Sequence, residues 1–82
     1  MNTLEIDSPI SLSDIKPGTS GRIKAMDMPE ETAARLAGLG ICEGRNVKIV
    51  KHGEPCIVRT YGSRVGIASS LVNQIHVDVA TS

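Results

Sequence analysis

Five side chains in the 82-residue sequence are of types that hold transition metals: Cys42, His52, Glu54, Cys56 and His76. None of them forms a C-x-x-C or H-x-x-x-H pair, the spacings that bring two ligands to one turn or one helix face. His52, Glu54 and Cys56 share a single short turn, so they are the candidate metal ligands, for a weak site within the chain or for an ion bridging two chains through His52 and Glu54. No cofactor is otherwise called for. The same turn sets Cys56 beside His52, which in type is a nucleophile and a base. Such a pair works only with a lowered thiol pKa, a third orienting group and an oxyanion donor set. The sequence indicates no third group, and an enzyme is not expected. No glycine-rich run ends in Gly-Lys-Ser/Thr, so a GTP site is not expected either. Cys56 has a plainer reading as a small inward-facing hydrophobe near Ile49, and two cysteines in an intracellular chain read as free thiols.

Two further groups of residues suit recognition. Lys48, Arg59 and Arg64, with Tyr61, fall on one side of the strands described below. They could meet phosphates, or they could be the solvated side of a half-buried sheet. The formal net charge is 0 and Tyr61 is the sole aromatic residue. That leaves neither the field nor the stacking surface of a nucleic-acid binder. Arg35, Leu39, Ile41 and Glu43 surround a glycine-rich corner at the end of a helix. Leu36 is read there as core, and Arg35 beside an apolar neighbour as a partner contact. The candidate partner-binding residues are therefore Arg35, Leu39, Arg59 and Tyr61. Open sheet edges also admit self-association.

The elements that must position these residues are short and densely punctuated. Residues 1–10 read as an N-terminal arm, in which Leu4, Ile6 and Ile10 alternate as an edge strand would. Residues 11–80 read as one domain. Ser11 or Ser13 caps a single turn that Pro17-Gly18 ends. Gly21 to Met26 alternates as a strand. Asp27 and Glu30 are spaced as a capping box for a helix of about ten residues, with Gly40 as its C′ residue. Asn46–Lys51, Cys56–Tyr61 and Arg64–Ala68 read as a three-stranded meander. A Gly62-Ser63 type II′ turn then sets Thr60 opposite Val65 and Val58 opposite Ile67. The first hairpin sets Lys51 opposite Cys56 and Ile49 opposite Val58. Both registers put Val47, Ile49, Val58, Val65 and Ile67 on one face. A turn follows at Ser69–Gln74, then a last strand at Ile75–Val79. The fold expected is mainly β: a small, partly open barrel of about five strands with one short α-helix. The N-terminus lacks the basic and apolar regions of a secretory signal. No apolar run approaches the roughly 20 residues of a bilayer span, so no membrane insertion is expected and the expected location is the cytoplasm.

The order of these pieces resembles the FeoA domain family. Leu12 to Gly18 matches its opening Leu-rich turn and Pro-Gly, and Gly21-Arg22-Ile23 its Gly-x-Ile strand. Arg35-Leu36-Ala37-Gly38-Leu39-Gly40-Ile41-Cys42-Glu43-Gly44 matches its Arg-Leu-x-x-Leu-Gly-Ile-x-x-Gly. Val47–Val50, Pro55, Gly62 and Ile75-His76-Val77 complete a match from about Leu12 to Val79. The chain departs from the pattern in its short His52-Gly53-Glu54 loop. It departs again at Gly66–Ser70, where many relatives carry Arg and acidic residues. The resemblance implies an SH3-like barrel and a cytosolic accessory role beside a FeoB-type iron permease. The alternatives are a small nucleic-acid-binding barrel, or a stand-alone SH3-like regulatory module with a weak metal site.

Overall fold

The structure, a computed structural model, describes residues 9–79. Among these residues six antiparallel strands form one sheet in the order β1-β6-β2-β3-β4-β5. They are β1 (Ile10–Ser11), β2 (Ser20–Met26), β3 (Asn46–Lys51), β4 (Cys56–Thr60), β5 (Ser63–Ile67) and β6 (Ile75–Val79). The helices are α1 (Glu30–Gly38) and the single turn α2 (Ser69–Val72), with a 3₁₀ turn at Leu12–Asp14. The sixth strand, beyond the five expected, is the two-residue β1, where Ile10 pairs with Val77. Leu4 and Ile6 lie outside the described residues.

Two bulges bend the sheet. Lys24 is the extra residue of β2 against β6, and Val50 that of β3 against β4. An unpaired residue kinks its strand and raises the local twist, which is how a six-stranded sheet curls round so small a core. Leu12, Ile15, Ile23, Leu36, Ile41, Val47, Ile49, Cys56, Val58, Ile67, Val72, Ile75 and Val77 fill it. Gly21 is needed where β2 crosses β6, because a Cβ there would stand 3.0 Å from that of Val77.

Three local expectations are corrected. Asp27 and Glu30 form no capping box: α1 starts after Pro29, with no side-chain cap. Pro29 fixes the extended entry, and Glu30 and Glu31 in the first turn complement the helix dipole instead. Lys51 faces Ile57 rather than Cys56, because the Val50 bulge consumes one residue, while Ile49 faces Val58 as expected. In the second hairpin Thr60 faces Ser63 and Val58 faces Val65. Its two-residue loop is Tyr61-Gly62, with φ of 53° and 80°, so both central residues are left-handed, as a type I′ turn requires. The register thus moves by two residues. An even shift keeps every side chain on its expected face, and Val47, Ile49, Val58 and Ile67 are buried, with Val65 packed against them.

Candidate functional site

The helix end is a Schellman motif. The Gly40 N–H donates to the Ala37 carbonyl at 3.0 Å and the Ile41 N–H to that of Leu36 at 2.9 Å. Gly40 has φ of 93°, the left-handed conformation that this motif demands. The reversal drives Ile41 into the core, so Ile41 is no surface residue, and it leaves Leu39 outside at 54% exposure. Arg35, one turn earlier on the same flank, is exposed. A Cβ on Gly40 would stand 3.3 Å from the Thr60 methyl, so the helix corner rests against the residue that precedes the β4–β5 turn.

That turn presents Tyr61. It is 81% exposed and is the one described non-glycine residue with positive φ. The Arg45 guanidinium lies 4.3 Å from its ring centroid, a cation–π contact. Arg45 was not legible as a site residue, since it sits in a loop whose spacing gives no face. Beneath the turn, Thr60 is 4% exposed and its hydroxyl has no hydrogen-bond partner.

Arg59, two residues before Tyr61 in β4, lies on the outward face of the sheet. Lys48, Arg59 and Arg64 are direct cross-strand partners, Lys48 with Arg59 and Arg59 with Arg64, and all three are exposed.

The turn residues expected as metal ligands are drawn into separate structural tasks. His52 Nε2 lies 2.7 Å from the Ile15 carbonyl, which can only accept, so Nε2 carries the proton. Its Nδ1 then accepts a weak bond from the Cys56 thiol at 3.9 Å. Cys56 is 1% exposed and burial pushes its pKa up, which keeps it a thiol and unsuited to nucleophilic attack. Glu54 faces elsewhere. Hydrogen bonds from the Ser69 side chain and backbone N–H hold its carboxyl below the usual value, and its Oε1 accepts the N–H at 3.1 Å. It thereby caps α2, whose own N-cap residue Ala68 offers no side-chain acceptor. Among the described residues no three His, Cys, Asp or Glu side chains are grouped to hold a metal ion. Cys42 and Cys56 are both free thiols. Cys42 lines an open groove of about 540 Å³ between α1 and the end of β2, with Met26, Met28 and Ala33. No helix among the described residues is long and apolar enough to cross a membrane.

Comparison with known proteins places this geometry. No curated protein sequence matches the chain. Among solved structures, the crystal structure of an iron uptake regulatory protein, FeoA, superposes with a TM-score of 0.80 at 20% identity, over 89% of this chain and 99% of that one. The iron(II) transport protein A of Clostridium thermocellum gives 0.78 at 26% identity, over 87% of this chain and 46% of that one. The FeoA of Stenotrophomonas maltophilia, described as a procaryotic SH3 domain protein and crystallised with zinc, gives 0.68 at 29% identity, over 84% and 89%. The fold is accordingly the SH3-like one. The model of the FeoA domain matches residues 10–79. With that match over nearly its whole length, the chain belongs to the FeoA family, non-enzymatic accessory proteins associated with ferrous-iron transport.

Proposed function

We propose that this protein is a cytosolic accessory subunit of ferrous-iron uptake that binds the cytosolic part of a FeoB-type permease. The docking surface is the corner formed by Arg35, Leu39 and Tyr61, continued on the sheet by Arg59. One observation carries the reading. The only Phe, Tyr or Trp of the sequence is absent from a core built of Leu, Ile, Val and Cys56, and stands at 81% exposure on a left-handed turn. A left-handed non-glycine residue costs about 1–2 kcal/mol, and Tyr and Arg are the types that anchor interfaces. Family membership supplies the transport system, and the exposed anchor supplies the mode of action, which is protein recognition.

The test is co-purification of the tagged protein with the detergent-solubilised permease, together with ferrous-iron uptake in cells. Leu39→Ala and Tyr61→Ala should fold as the parent does, lose co-purification and depress uptake. If both variants bind and support uptake like the parent, this surface is the wrong one and the His52–Cys56 turn is the next to test.

A further inference from the structure

The outward face of the meander carries an arrangement that folding alone does not favour. Reading across the strands, Ser20, Lys48, Arg59 and Arg64 stand in one row, each the direct partner of the next. Three cations are thus consecutive. The same-face positions two residues along these strands are Arg22, Asn46, Ile57 and Gly66, none of them acidic. Like charges directly opposite each other destabilise a sheet pair. A chain with as many acidic as basic side chains could have interleaved the two signs here, as it does between β2 and β6, where Arg22 faces Asp78. The row is therefore a concentrated positive ridge on a protein with no net charge to spread.

We propose that this ridge binds an acidic α-helix of a partner protein, one carrying Asp or Glu at i, i+3 or i+4, and i+7. The inference rests on the reading of this protein as a recognition module and names the chemistry met at Arg59. Spacing selects the helix. Neighbouring strands lie about 4.8 Å apart, so the three cations are spread over about 10 Å. Carboxylates at i, i+3 and i+7 of a helix rise by about 4.5 and 10.5 Å, which matches both steps. Arg59 and Arg64 supply planar forks for carboxylates, and Lys48 a point charge. An extended acidic strand, with same-side residues about 6.8 Å apart, would lose register by the third charge. Nucleic acid is disfavoured because Tyr61 is the only Phe, Tyr or Trp ring of the sequence.

The probe is a pair of Ala-rich synthetic helices of about 18 residues with identical composition. One has three Glu residues in the i, i+4, i+7 stripe and the other has them spread round the helix. Binding to the full chain is followed by NMR shifts of the Lys48, Arg59 and Arg64 amides at low salt. The striped helix should bind at least about tenfold more tightly than the scattered one, and its affinity should fall steeply with added NaCl. Arg59→Gln, the middle of the row, should abolish the preference while raising the protein's own thermal midpoint at low salt, by relieving the repulsion. Equal binding of the two helices, tighter binding of single-stranded oligonucleotide or anionic vesicles, or a lowered midpoint for Arg59→Gln would each overturn the proposal. A parent protein that shows no striped-helix preference while still binding the permease sinks this inference alone. Loss of permease binding by the parent sinks the recognition reading itself.

Discussion

Tyr61→Asn separates a residue kept for folding from one kept for recognition, because the two roles predict opposite signs. The backbone at this position has φ of 53° and is followed by Gly62 at 80°. Asn-Gly is the favoured pair for such a type I′ turn. A left-handed L-residue costs about 1–2 kcal/mol, and Asn recovers much of that by local hydrogen bonding. Against this stands the loss of the Arg45 contact at 4.3 Å, worth about 0.5–1 kcal/mol at an exposed site. The side chain buries little else, being 81% exposed. The net change is a stabilisation of about 0–1 kcal/mol, or a rise of up to about 4–8 °C in Tm for a domain of this size. Binding should move the other way. Truncating an interface anchor costs at least about 2 kcal/mol, roughly thirtyfold in Kd. Thermal unfolding by circular dichroism and calorimetric titration with the permease's cytosolic part read the two effects. A variant destabilised by more than about 1 kcal/mol would mean that Tyr61 serves the fold, and unchanged affinity would remove it from the interface.

Three other variants probe the framework. Thr60→Val removes a buried hydroxyl without a partner while keeping the side chain's shape, and should stabilise the protein by about 1 kcal/mol in urea unfolding; destabilisation would show that a water or partner satisfies the hydroxyl. Val58→Ala, at the centre of the meander, should cost about 1–3 kcal/mol, and a neutral result would contradict the burial of β4. Glu54→Gln tests the cap of α2. The folded-state pKa of Glu54 is lowered by Ser69, so the carboxylate's contribution is present above the unfolded-state value and lost as pH falls through the folded one. The stability difference between parent and Gln variant should be largest at neutral pH and vanish in acid. A gap that persists unchanged at low pH would rule out the charged cap.

The sheet was legible because its turns and its alternation are redundant. Val47, Ile49, Val58 and Ile67 were placed on the inner face, and they stay there although the second hairpin closes at Tyr61-Gly62. The error arose from taking Gly62 as the first central residue of a turn, since nothing in the identity of Tyr61 announces a left-handed backbone. The Val50 and Lys24 bulges were hidden for a related reason. Bulges answer the curvature of the sheet round its core, which is a tertiary demand, and both residues fit an alternating strand. At the helix, Gly40 was read as the C′ residue and fixed the exit, whereas the Asp27 and Glu30 spacing suggested a cap that the Pro29 entry does not use. Helical spacing put Arg35 on the exposed flank but Leu39 on the face of buried Leu36, and it is the exit at Gly40 that leaves Leu39 outside. Arg45 was not legible, because its contact with Tyr61 joins the loop before β3 to the β4–β5 turn and is a tertiary contact that local spacing does not show. His52, Glu54 and Cys56 show the limit of reading ligand types. Their closeness in sequence is real, but His52 turns to the Ile15 carbonyl, Glu54 to Ser69 and Cys56 into the core.

The central claim is that the corner of Leu39 and Tyr61 recognises the iron permease. It is tested most directly by titrating the permease's cytosolic part into the isotopically labelled protein and following every backbone amide. Saturable shifts are expected at Leu39, Gly40, Arg45, Tyr61 and Gly62, extending to Arg35 and Arg59. Shifts confined to the His52–Cys56 turn, or none at any concentration, would contradict it.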